Sequence, residues 1–158
     1  MKDIILFRFI GNNKKIAHSD LKLEIPILSI NKLLDSYWFI ENDNFSIPEN
    51  KRNNFQLRIQ HILNEFIRNC ISRISSLENG ETFAIPIGVW DECTEYLIVE
   101  KIDTENLILK YGWSEKGGVN LYSLSQEYFY IDTVKFTNGP KTIKLDHFLN
   151  GLKTNILN

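Results

Sequence analysis

Cysteine is scarce in this chain. Cys70 and Cys93 are the only two in 158 residues, and they form no spaced motif. Cys70 falls among apolar neighbours at helical spacing and reads as a small core hydrophobe, a usage that fits a reducing compartment. Long apolar runs are missing as well. No stretch approaches eighteen apolar residues, so no segment is expected to span a membrane. Ile4-Ile5-Leu6-Phe7 is cut short by Arg8 with no small-residue cleavage site after it, so no signal peptide is expected and the location reads as cytoplasmic. A basic excess is lacking too. The net charge of −2 excludes a generally basic nucleic-acid binder, and nucleic acid is not expected as a partner.

Chemical signatures are equally sparse. His18, His61 and His147 have no partner at three- or four-residue spacing, so a zinc-binding helix is absent and no metal is expected. Gly117-Gly118 lacks the Lys-Ser/Thr of a phosphate loop. Cys93, in Asp91-Glu92-Cys93-Thr94, carries no nucleophile signature and reads as a turn cysteine. His61 lies at the border of an apolar stripe and reads as a boundary residue. No catalytic residue, cofactor or enzymatic activity is expected.

What is present is an ordinary globular composition, 43% hydrophobic and 24% charged, in one domain spanning residues 1–158. The clearest signal lies between Ser46 and Gly80. Phe55, Ile59, Ile62, Leu63, Phe66, Ile67, Cys70, Ile71, Ile74 and Leu77 recur in steps of three, four and one, the pattern of one helical face. Ser46-Ile47-Pro48-Glu49 reads as a capping box, and Asn79-Gly80 as the stop. A helix from Glu49 to Glu78 would be about 45 Å long. A compact domain of this size is about 40 Å across. Either the polar turns Lys51–Asn54 project, or Asn54 is the true cap.

Around this helix the pattern is mainly of strands. Asp3–Ile10 reads as a strand, and Leu21–Leu28 alternates like one, with Pro26 pointing to an edge or a loop. Ser29–Ile40 reads as a short helix with Leu33, Leu34, Tyr37 and Trp38 inward. After Gly80 the period drops to two. Phe83–Val89 is an edge or bulged strand because of Pro86. Thr94–Ile102 and Leu107–Trp113 form a hairpin around Asp103-Thr104-Glu105-Asn106. Val119–Leu124, Gln126–Phe136 and Thr142–Leu145 read as further strands, with Asn138-Gly139-Pro140 as a stop. Asp146 caps a last helix. The expected fold class is α+β, a mainly antiparallel twisted sheet packed on one long amphipathic helix, with shorter N- and C-terminal helices.

Charge is unevenly spread. From Glu78 to Glu105, eight carboxylates face the single base Lys101, which leaves −7 in a chain of −2 overall. Trp90, Tyr96, Tyr111 and Trp113 lie in or near this segment. Acids beside aromatics suit a basic protein partner, since charge steers the encounter and aromatics anchor it. The competing account is a solvated hairpin whose acids blunt a sheet edge. On the first account the partner-binding residues are Trp90, Asp91, Glu92, Glu95, Asp103 and Glu105, mostly exposed.

In size and in the acidic, aromatic stretch Trp90-Asp91-Glu92-Cys93-Thr94-Glu95-Tyr96 with its following hairpin, the chain resembles bacterial immunity proteins of polymorphic and contact-dependent toxin systems. The likeness is one of general character and brings neither a fold nor residue roles. It implies a stoichiometric inhibitor of a basic toxin, often a nuclease, with no catalysis of its own. The alternative from the residues is a small-molecule enzyme or ligand-binding domain, with a pocket between sheet and helices near His61 or Tyr128 and Tyr130.

Overall fold

The computed structural model describes residues 6–11, 19–37, 46–89, 93–115 and 131–156. It is an α+β fold with two antiparallel sheets. The first has the order β1-β2-β3, from Leu6–Phe9, Leu21–Ile25 and Ile30–Leu34. In β2, Leu21, Leu23 and Ile25 are buried while Lys22 and Glu24 are half-exposed, the alternation of a sheet with one covered face. β2 is the central strand, contrary to the edge or loop expected from Pro26. The proline lies one residue beyond the ladder and opens a 3-10 turn, Pro26–Leu28, where no ladder bond is needed from it.

The segment expected to be helical from Ser29 begins instead as strand β3. Ile30 and Leu34 point inward while Leu33, assigned to an inward helix face, is 54% exposed. A full ladder against β2, from Ile25↔Ile30 to Leu21↔Leu34, overrides the helical spacing of Leu33, Leu34 and Tyr37. Trp38 lies outside the described residues.

The amphipathic stretch forms two helices. α1, Glu49–Arg52, is a single turn with Pro48 in the cap position and no side-chain cap, so the Ser46 capping box does not form. α2 runs Phe55–Ser75, and Asn54 is its cap, its side-chain oxygen accepting from Leu57 N at 3.1 Å. The break at Asn53–Asn54 resolves the length conflict. α2 also stops short of Gly80. Ser75 and Ser76 turn their hydroxyls back onto Ile71 O and Arg73 O. Gly80, at φ 87, makes the following turn, its N–H donating to Lys101 O at 2.7 Å. Ile59, Leu63, Phe66, Cys70, Ile74 and Leu77 are all buried, as their spacing predicts. Burial pushes the Cys70 thiol pKa well up, so it stays a protonated apolar group.

The second sheet has the order β4-β5-β6-β7, from Thr82–Val89, Thr94–Lys101, Asn106–Ser114 and Lys135–Lys144. β4 is the outer strand and its register shifts between Pro86 and Gly88, so the proline is at an edge and at a bulge. The hairpin falls at Asp103–Asn106 as expected. β7 departs from its prediction at both ends. Ile131–Thr133 is a 3-10 turn, and the strand runs through Asn138-Gly139-Pro140. A register shift opposite Leu109 and Tyr111 absorbs that interruption. The strand expected at Val119–Leu124, and most of that at Gln126–Phe136, lie outside the described residues. α3, Leu145–Lys153, buries Phe148 and Leu152. Lys144, not Asp146, holds its cap position.

Register places Phe83, Val99 and Leu109 on the same face as Ile85, Leu97 and Tyr111. That face, the inner side of the first sheet and the stripe of α2 form one apolar cluster, in which Phe7 meets Phe66 edge-on at 6.1 Å. Phe66→Ala is expected to lower unfolding stability by about 3–5 kcal/mol. Gly112 marks a second sensitive point. A Cβ there would run into the Lys135 carbonyl and come within 2.8 Å of Val134 Cγ1. Gly112→Ala is therefore expected to cost about 1–3 kcal/mol by parting β6 from β7. Urea unfolding of both variants checks the pair, and wild-type midpoints would overturn this description of the core.

Candidate partner-binding surface

The β5–β6 hairpin does not present its acids as one patch. β5 has eight residues, about 27 Å at ~3.4 Å each. Glu95 is near its start, while Asp103 and Glu105 are past its end. Trp90, Asp91 and Glu92 lie outside the described residues. Glu95 and the pair Asp103 and Glu105, close in sequence, are thus divided between opposite ends of the second sheet.

Glu95 also departs from the expected exposure. Its side chain is only 16% exposed. Alternation along β5 puts it on the same face as Leu97 and Val99, and register places it opposite Trp113. Its charge is answered from the other sheet. Lys32 Nζ of β3 lies 2.5 and 2.6 Å from the two carboxylate oxygens, and Tyr111 Oη of β6 donates to Oε2. Burial, and then the adjacent Glu95, push the Tyr111 phenol pKa up, so it remains a donor. Lys32 comes from a part of the chain that the charge count over residues 78–105 never included. Glu100 is likewise matched, by Lys110 at 2.9 Å.

The other end of the sheet is different. Three elements meet there: the turn after α2, the β5–β6 turn and the start of α3. Gly80 N donates to Lys101 O, Lys101 N to Glu81 O, and Leu145 N to Glu105 O. These bonds gather Glu78, Glu81, Asp103, Glu105 and Asp146 at one pole, all exposed but the half-exposed Asp103. Two cations stand beside them, both engaged. Lys101 Nζ donates to Leu77 O at 2.5 Å, and Lys144 Nζ to Glu105 Oε2 at 2.7 Å. The bond to Glu105 raises the Lys144 pKa, helped by the charges of Glu105, Asp103 and Asp146. Ile102 is exposed in the middle of the pole. An open groove of about 590 Å³ adjoins it, lined by Thr104, Glu105, Lys144, Leu145, Asp146, His147 and Leu149.

Asp103 has a local task as well. Its carboxylate accepts from Glu105 N and Asn106 N, each at 2.8 Å, and from Asn106 Nδ2 at 2.9 Å. Asn106 above all, then the Glu105 N–H, hold its pKa below 3.8. Sequence reasoning included Glu78 and Glu81 in the acidic count but not as binding residues, and it missed Asp146 and Lys144. The signal for Asp146 was its acid position in the first turn of a helix that returns to the hairpin.

The remaining titratable groups are dispersed. His61 Nε2 shares a hydrogen bond with Ser46 O at 3.1 Å, an anchor for the segment before α1. Tyr128 and Tyr130 lie outside the described residues. Asp20 is fully buried, accepting from Ser36 N at 2.9 Å and Ser36 Oγ at 2.6 Å. Burial raises its pKa despite those bonds. Among the described residues no group of three or more His, Cys, Asp and Glu is placed to hold a metal ion, and no helix is long and apolar enough to cross a membrane.

No family model, curated protein or solved structure matches the chain.

The lowered Asp103 pKa predicts a pH dependence. A carboxylate with a depressed folded value stabilises the fold above its ordinary 3.8, and this contribution is lost as pH falls through the folded value. Asp103→Asn should therefore flatten the acid limb of a stability–pH profile measured by urea unfolding from about pH 5 down to about pH 2. Acid limbs of equal slope would remove Asp103 from the account.

Proposed function

We propose that this chain is a stoichiometric binding protein that neutralises a basic macromolecular partner, in the manner of the toxin-immunity proteins it resembles. The observation that carries the reading is the acidic pole formed by Glu78, Glu81, Asp103, Glu105 and Asp146 around the exposed Ile102. Carboxylates brought together from three separate elements repel one another, and their field attracts a cation-rich surface. An exposed aliphatic residue among them supplies apolar contact once charge has steered the encounter. In this reading Asp103 and Glu105 contact the partner, and Trp90, Asp91 and Glu92 add a second contact. Glu95 helps to hold the fold. The partner is a basic toxin domain, a nuclease being one form, and the protein acts in the cytoplasm without a cofactor.

The ligand-binding alternative gains one observation. The groove beside the pole brings His147, Lys144 and Glu105 to one rim, a setting for a small polar ligand. Its open shape, with acids on the rim, suits a protruding basic side chain of a protein equally well.

The test is the association rate with the product of the adjacent reading frame at two salt concentrations. Wild-type association should be fast and should slow as salt rises, because exposed charges are screened over about 8–10 Å at physiological ionic strength. Glu78→Lys with Glu105→Lys should slow association about tenfold or more at low salt. Each exposed substitution should leave folding stability within about 0.5 kcal/mol. An association rate that ignores both salt and the double reversal would reduce the pole to a solvated sheet end.

A further inference from the structure

The first sheet is fastened to the rest of the protein in two unlike ways. Along β1 the side-chain contacts are apolar, Phe7 meeting Phe66 at 6.1 Å and Phe9 meeting Phe55 at 6.4 Å, both edge-on, with one uncharged bond from Phe7 N to Asn155. Along β3 the buried Ile30 and Leu34 flank a charged contact. Ile30, Lys32 and Leu34 share the inner face by alternation, so Lys32 carries a charge where its neighbours carry aliphatic groups. Its Nζ reaches both Glu95 oxygens and lies 3.0 Å from Tyr111 Oη and 5.6 Å from that ring's centre. Nearby, Asn138 Nδ2 donates to Leu28 O at 3.0 Å and Tyr37 Oη to Val89 O at 2.7 Å. The sheet is also tied within itself: Asp20 N donates to Leu34 O, Ser36 N to Asp20 Oδ1, and Ser36 Oγ to Asp20 Oδ2.

We propose that Lys32, Glu95 and Tyr111 form a latch between the two sheets, and that its release lets the first sheet swing on its β1 side while both sheets stay folded. Two facing aliphatic side chains would hold this seam at least as firmly as an ion pair, which must be desolvated to form. An ion pair, unlike them, is weakened by water and salt, and the Lys32 side chain is 32% exposed to both. The apolar β1 side is the pivot because nothing there depends on charge. Opening uncovers Leu28, now buried with its side chain beside Gly139 of β7. Openings of this kind are local and draw on the weakest contacts of a fold.

The experiment places a single thiol in the seam, Leu28→Cys with Cys70→Ser and Cys93→Ser, and measures its labelling rate beside amide exchange in α2 and β6. In this background Lys32→Met leaves Glu95 without its cation and should speed labelling about tenfold or more, with α2 and β6 exchange unchanged. Glu95→Gln, nearly the same size, should act in the same direction and serves if Lys32→Met does not fold. Lys32→Met combined with Glu95→Leu replaces charge by aliphatic contact and should return labelling to the wild-type rate or below. Labelling that rises only together with α2 and β6 exchange, or that does not rise, overturns the latch and leaves the trio an ordinary stabilising contact.

Discussion

Everything in this fold depends on one apolar stripe serving two sheets. A single sheet layer cannot cover its own apolar face and must bury it against another element. α2 supplies the missing wall: Leu63, Phe66, Ile67, Cys70 and Ile74 come off one side of a continuous helix into a cluster that includes both sheets. The helix can do so because Asn54 starts it cleanly and the serines at its end stop it before the next turn must form. Which acids share an end is decided by the bonds that bring together the turn after α2, the β5–β6 turn and the start of α3.

The legible parts of the fold were those in which one short-range pattern decided the outcome. The α2 face, the Asp103–Asn106 hairpin and the burial of Phe66 and Ile74 follow from spacing and turn chemistry alone. The illegible parts turned on partners distant in sequence. Leu33, Leu34 and Tyr37 have helical spacing, yet Ile30–Leu34 pairs with β2 because β2 offers a free ladder. Gly139-Pro140 has the local form of a stop, yet β7 continues through it because β6 shifts register to meet it. Proline acted as punctuation throughout, but its exact position relative to the last ladder bond decided each case. Pro26 fell just outside a central strand, and Pro86 within an edge strand.

The charge count over residues 78–105 shows the same division. Summing charge along a segment assumes that the segment is a surface. In a hairpin it is a line that doubles back, with inward positions alternating with outward ones. Glu95 was counted as surface and is half a salt bridge to Lys32. Asp103 and Glu105 were counted with Glu95 and lie at the other end of the sheet from it. Their neighbours at that end are Glu78 and Asp146, more than twenty residues away along the chain. Asp103 and Glu105 were named from the sequence, but the end of the sheet they share with Glu78, Glu81 and Asp146 was not legible there.

Asn155 carries a consequence for how the fold must close. It is buried. Its side-chain oxygen accepts from Phe7 N at 3.1 Å, and its side-chain nitrogen donates to Gly151 O at 2.9 Å. One amide thus ties the last turn of α3 to the outer edge of the first strand, across a separation of 148 residues. Until so distant a residue docks, that strand edge stays uncovered, and an unpaired edge invites wrong pairings. Arg8 is exposed in the middle of the same short strand, and a charge at such a position discourages a stray strand.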